Sequence, residues 1–250
     1  LDNLHIAGRF TGWVDFDPGP GVDAHVAGSS PFWDNYVVKQ DSARAFLWAR
    51  TWQGHTTWID EIMVDQVGNL HIVGAFKADD TDFDPGPGFH QVSPTTYYEN
   101  DPFWLQLYPN GNFKLLRTWG GDESDGGGRL AVDHAGNVYH AGTYYDEIDL
   151  IPGPADQTYL TEGESDIFIS KFDVNGNFVW GIAGGSFNYD WSSDIMVDGQ
   201  GYVYYNALFY QTAYLDINGD SITLPSPGGA NNYIMKFSPD TCNSFNINID

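Results

Sequence analysis

The stretch Asp166-Ile-Phe-Ile-Ser-Lys-Phe-Asp-Val-Asn-Gly-Asn-Phe-Val-Trp180 reads as two β-strands joined by a tight turn. Apolar residues alternate from Asp166 to Phe172 and again from Phe178 to Ala183. Asn175-Gly176 stands between them, and Asn-Gly between alternating runs is the strongest short hairpin signal, because both central residues must accept positive φ. Two more strands lie upstream. Arg129 to Asp133 leads through His134-Ala135-Gly136 into Asn137 to Gly142. A long connection then carries Asp149 and Pro152-Gly153-Pro154. In chain order the four strands are A, B, C and D.

The same unit recurs about every 66 residues. Asp15, Asp82, Asp149 and Asp216 are spaced by 67, and Tyr36, Phe103, Phe168 and Tyr233 by 67, 65 and 65. The A–B turn recurs as Asp65 to Gly68, Asp133 to Gly136 and Asp198 to Gly201, with Asp bonding its own backbone and Gly supplying the left-handed conformation. Self-similarity at this period marks an array of units that cannot bury their apolar faces alone. Four antiparallel strands repeated radially predict an all-β propeller. Its blades are longer than the common ~40–45 residues, with the surplus in the B–C loop.

The predicted blades are about 1–54, 55–121, 122–185 and 186–250, in one domain. Strand A is expected three times and B, C and D four times, fifteen strands in all, with blade 1 lacking its innermost strand. A segment of a larger propeller is favoured over a closed four-bladed ring. The chain enters a strand pattern almost at once after Leu1, and is expected to be a piece of something longer.

Composition supports turns over helices. Of 34 acids, 28 are Asp, which favours turns and strand ends, and 6 are Glu. The 29 Gly and 13 Pro are spread through the repeats, and 42% hydrophobic residues suffice for a sizeable core. A net charge of −24 repels nucleic acid and anionic membranes and attracts divalent cations or basic partners. No apolar run reaches the ~18 residues of a membrane helix, so no membrane insertion is expected. Cys242 is the only cysteine, which excludes an intrachain disulfide.

The run Asp166 to Trp180, followed by Gly184-Gly185, Ile195-Met-Val-Asp198 and Gly201-Tyr-Val-Tyr204, resembles the SBBP-type β-propeller repeat of secreted bacterial proteins. The insert Val14-Asp-Phe-Asp-Pro-Gly-Pro-Gly21, repeated at Thr81 to Gly88, is similar to versions from Bacteroidota and related phyla. The resemblance covers nearly the whole chain. It implies an extracellular or cell-surface location, often within large multidomain proteins. It implies no shared reaction and no fixed catalytic residue. Blade 1 departs from the pattern with Asp41-Ser42-Ala43-Arg44 in place of Asn-Gly, and blade 4 lacks the Pro-Gly-Pro insert.

Antiparallel order puts the B–C and D–A loops on one face. That face carries Asp15, Asp17, Asp79, Asp80, Asp82, Asp84, Asp122, Glu123, Asp125, Asp146, Glu147 and Asp149. The pairs Asp15/Asp17 and Asp82/Asp84 offer hard oxygens two residues apart, which suits Ca²⁺; the alternative is that they cap turns and build the blade. Asp79, Asp80, Asp122, Glu123 and Asp125 are specific to one blade region and form a candidate site for a cation or a basic partner, or else a solvated cluster. Trp13, Trp33, Trp58 and Trp191 lie outside the repeat columns and could stack on sugar faces; the alternative is that they cover the ends of the core. His5 and His71 share a position filled by Tyr139 and Tyr204 elsewhere, which marks a packing column.

No zinc spacing, nucleophile elbow or phosphate loop is present. The expected role is a secreted or surface-displayed, non-catalytic binding and scaffold module with a protein or glycan partner at the acidic face. An enzyme acting on extracellular polysaccharide, a hydrolase or lyase using acids of that face, is the alternative, and a lectin-like propeller is a third.

Overall fold

The computed structural model describes residues 3–28, 33–53, 56–153, 157–217, 220–226, 228–238 and 245–249, with the side chains of 53, 217, 220 and 245–249 left aside. Among these residues the chain is all-β, built of antiparallel sheets. The first repeat contains β1 (Leu4–Phe10), β2 (Trp13–Asp15), β3 (Ala24–Val26), β4 (Asp34–Gln40) and β5 (Phe46–Gln53). The second contains β6 (Thr57–Val64), β7 (Leu70–Phe76), β8 (Thr81–Asp82), β9 (Gln91–Val92), β10 (Asp101–Leu107) and β11 (Phe113–Thr118). The third contains β12 (Arg129–Val132), β13 (Val138–Tyr144), β14 (Glu147–Asp149), β15 (Thr158–Leu160), β16 (Asp166–Phe172) and β17 (Phe178–Gly185). The fourth contains β18 (Trp191–Val197), β19 (Val203–Phe209), β20 (Ala213–Ile217), β21 (Asp220–Leu224), β22 (Asn231–Phe237) and β23 (Phe245–Ile249).

Strands A to D pair in order within each repeat: β6-β7-β10-β11, β12-β13-β16-β17 and β18-β19-β22-β23. The first sheet has three strands, β1-β4-β5, so β1 is an edge. The B–C connection differs from a simple loop. In every repeat it folds into its own two-stranded hairpin, β2–β3, β8–β9, β14–β15 and β20–β21, which raises the strand count to 23. The fourth repeat keeps the hairpin without Pro-Gly-Pro.

The Asp15 column explains the hairpin. Asp15 Oδ1 accepts the backbone N–H of Asp17 (3.1 Å) and of Asp23 (2.9 Å). Asp82 Oδ1 does the same for Asp84 and His90, and Asp149 Oδ1 for Ile151 and Gln157. In the first three repeats one carboxylate thus ties the two ends of the hairpin turn together.

The hairpins of the third and fourth repeats reach the outer edge of the preceding sheet. β20 pairs with β17 from Ile182↔Ile217 to Gly185↔Tyr214, and Asp149 N donates to Gly120 O, just beyond β11. An outer strand left bare would be a template for aggregation. The apolar cores also lie between repeats. Val37 and Trp52 pack with Leu70, Ile72 and Phe103; Val73 and Trp104 with Tyr144 and Phe168; Ile169 and Ile182 with Tyr205 and Phe237. Each sheet therefore buries its face only against its neighbour, as the period requires.

The aromatic column has a physical partner. Tyr36, Phe103 and Phe168 stand opposite Gly8, Gly74 and Gly142, and Tyr233 opposite Ala207. A ring covers a position with no or one side-chain carbon, which lets neighbouring sheets approach.

Candidate functional site

Register fixes the two ends of every sheet. Phe76 faces Asp101 where β7 ends and β10 begins, while Leu70 faces Leu107 at the opposite end. The short-turn end uses its acids for turns. Asp41, Asp65, Asp133, Asp173 and Asp198 each accept, on one oxygen, the backbone N–H groups two and four residues further on. Bonds from the Asn177 side chain and backbone hold Asp173 below its ordinary range.

The loop end is different. Between the second and third repeats lies an open groove of about 570 Å³ lined by Glu99, Glu123, Ser124, Tyr145, Asp146 and Glu164, with Thr161 and Gly163. Its lining includes four carboxylates and neither Lys nor Arg. Ser124 Oγ donates to Glu99 Oε2 at 2.5 Å and fixes one wall. Tyr145 is 37% exposed and supplies the aromatic surface. A groove of about 520 Å³ between β11 and the β14–β15 turn is lined by Arg117, Ile151 and Phe178 and carries no acid.

Beneath the loop end lie two pairs of buried acids, one at each of two successive repeat junctions. Asp101 opens β10 and Asp166 opens β16; they are 2% and 0% exposed. Asp125 and Asp190 precede β12 and β18 and are 2% and 0% exposed. Asp125 N donates to Asn100 O (2.7 Å) and Asp190 N to Ser165 O (2.9 Å), which docks each onto the neighbouring repeat. Asp125 Oδ1 accepts Tyr145 N (3.2 Å) and its Oδ2 accepts Gly121 N (2.9 Å). Asp190 repeats this with Tyr210 N (3.3 Å) and Ser186 N. Asp101 Oδ2 accepts the N–H and hydroxyl of Thr95, and Asp166 Oδ2 accepts Glu162 N. Burial pushes these carboxyls up, Asp125 to about 8 with the Asp101 charge adding, Asp166 to about 7 and Asp101 to about 6. Asp190 is raised for the same reason.

The expected site residues separate accordingly. Asp15, Asp17, Asp82 and Asp84 each accept at least one backbone N–H of their own hairpin turn. Asp79 and Asp80 are exposed at the mouth of the β8–β9 hairpin, and Asp80 adopts positive φ (61°). The set Asp122, Glu123 and Asp125 is split. Glu123 lines the groove and Asp122 accepts the Thr96 hydroxyl, whereas Asp125 is buried. Nor is Asp125 specific to one blade region: Asp190 is its counterpart, 65 residues on. The same spacing relates Asp101 to Asp166, and that period is the signal by which all four could have been found.

None of the four tryptophans lines the groove. Trp13 and Trp33 are exposed, with Arg9 over the Trp33 ring at 6.0 Å, and Trp58 is half-buried. Trp191 stacks on Tyr189 at 6.2 Å with an interplanar angle of 11°, and both are more than 40% exposed. His71 is buried, its pKa lowered by burial, and it bonds Trp104 and Asp65. His55 and Cys242 lie outside the described residues. No protein-family model matches this chain, and no curated protein is similar to it.

Proposed function

We propose that the four sheets are blades of a β-propeller, or of a four-blade part of one, and that the chain is a secreted or surface-displayed module whose loop end binds a cationic partner. Two features support the architecture: antiparallel four-stranded order in three successive repeats, and cores formed only between neighbours. The secreted location follows from the resemblance to SBBP-type repeats. The observation that carries the binding role is the groove with Glu99, Glu123, Asp146 and Glu164 and no basic side chain. Such a surface favours a Lys- or Arg-rich protein segment and accelerates its encounter. The carboxyl pairs with raised pKa values, which would suit acid–base catalysis in a cleft, are buried and repeated, so a non-catalytic module is the better reading.

Fluorescence anisotropy with an Arg-rich peptide tests the proposal. Saturable, salt-sensitive binding that weakens about tenfold in Glu123→Gln/Glu164→Gln is expected; equal binding to the variant would overturn it. A glycan partner is the second reading, favoured by the exposed Tyr189–Trp191 platform, which could stack on a sugar face. Binding to a glycan array that disappears in Trp191→Ala would establish that reading instead.

A further inference from the structure

We propose that the two repeat junctions marked by Asp101/Asp125 and Asp166/Asp190 are divalent-cation sites that take Ca²⁺. Three observations lead there. First, the carboxylates of Asp166 and Asp190 stand side by side: a methyl group placed on Gly185 would fall on an oxygen of each. Asp101 lies against Gly120, 65 positions before Gly185, and Asp125 Oδ2 accepts the N–H of the next residue, Gly121, as Asp190 Oδ2 accepts that of Ser186.

Second, each pair contains a buried carboxylate oxygen with no hydrogen-bond partner, Asp101 Oδ1 and Asp166 Oδ1. Asp166 Oδ1 is the very oxygen turned toward Asp190 at Gly185. An unpartnered buried polar group of this kind calls for an explanation by an ion or water. The buried hydroxyl of Tyr205, with Ser192 beside it, lies in the field of Asp190.

Third, no opposite charge comes from the protein. Among the described residues no Lys or Arg stands within salt-bridge distance of these four carboxylates. The charged groups that bear on the pairs are all acidic or phenolic. Glu123 and Tyr144 face Asp125; Glu162 and Tyr144 face Asp166; Tyr205 faces Asp190. Burying an uncompensated charge is costly. One proton would neutralise one carboxylate of each pair and leave its partner as a buried anion, whereas a divalent cation neutralises both. Carboxylate and hydroxyl oxygens, with no nitrogen or sulfur, are the donor set of a hard cation such as Ca²⁺. The Asp15/Asp17 and Asp82/Asp84 pairs differ, because none of their oxygens is both buried and without a hydrogen-bond partner.

Calorimetric titration of the EDTA-stripped chain with Ca²⁺ at pH 8 tests the proposal. Two ions per chain are expected, falling to one in Asp101→Asn or Asp166→Asn and unchanged in Asp17→Asn or Asp84→Asn. Saturating Ca²⁺ should raise the Tm by about 5–10 °C. If an Asn variant does not fold, Tb³⁺ added to the unmodified chain gives a second readout: emission sensitised by the nearby tyrosines and displaced by Ca²⁺. No uptake of either ion, with a Tm that only falls as pH rises, would mean that each pair shares a proton and would overturn the proposal. Uptake lost in the Asp17 and Asp84 variants but retained in the Asp101 and Asp166 variants would also overturn it.

Discussion

At the scale of single residues, glycine and aspartate set the structure. Gly74 lies under the Phe103 ring and against the carbonyl of Trp58, and Gly142 lies under Phe168 and against Gly126. A methyl group has no room at either position, so Gly74→Ala and Gly142→Ala should each destabilise by about 1–3 kcal/mol, measured by urea denaturation. Asp133 holds two backbone N–H groups and the Asn137 amide. Asp133→Ala should therefore cost about 1–2 kcal/mol without disturbing the loop end. The role of Asp133 was legible, because Asp-x-x-Gly is a turn signature in itself. The role of Asp125 was not. Its neighbours Asp122 and Glu123 make it look like part of a solvated run; its 65-residue spacing to Asp190 and its burial against Asn100 and Tyr145 set it apart.

At the scale of elements, the strands of the four-strand unit lie where alternation and Asn-Gly turns place them. The inserted hairpins were not legible. Their strands run from two to five residues, too short for alternation to register, and Pro-Gly-Pro reads as an irregular loop. The first three are tied by the column aspartate, and the fourth pairs with β17 of the sheet before. Leu215 of β20 is 1% exposed and lies in the core between the third and fourth repeats. Leu215→Ala should cost about 2–5 kcal/mol. Removing residues 213–224 should bare the edge of β17 and cause concentration-dependent association, visible in sedimentation velocity.

At the scale of the whole molecule, the acids divide by role: those of the short turns and the hairpin turns accept backbone N–H groups, while those of the remaining loops line the groove or join repeats. That division sets the pH dependence. Asp101, Asp125 and Asp166 have folded-state pKa values raised to about 6, 8 and 7. Their contribution to stability is full below the ordinary carboxylate value of about 4 and is lost as pH rises through 6 to 8. Asp173, held low by Asn177, contributes above its ordinary value and loses that contribution in acid. In EDTA the chain should therefore be most stable between about pH 4 and 6, and urea denaturation at pH 5 and pH 9 should show the higher midpoint at pH 5.

The claim that the loop end is the binding end is tested most directly by binding the Arg-rich peptide to two neutralised variants. One carries Asn or Gln at Glu99, Glu123, Asp146 and Glu164; the other carries Asn at Asp41, Asp65, Asp133 and Asp173. Both remove the same charge from a chain of net charge −24. Loss of affinity in the first variant alone is the predicted result. Equal loss in both would show that the peptide responds to net charge and would contradict a binding site in the groove.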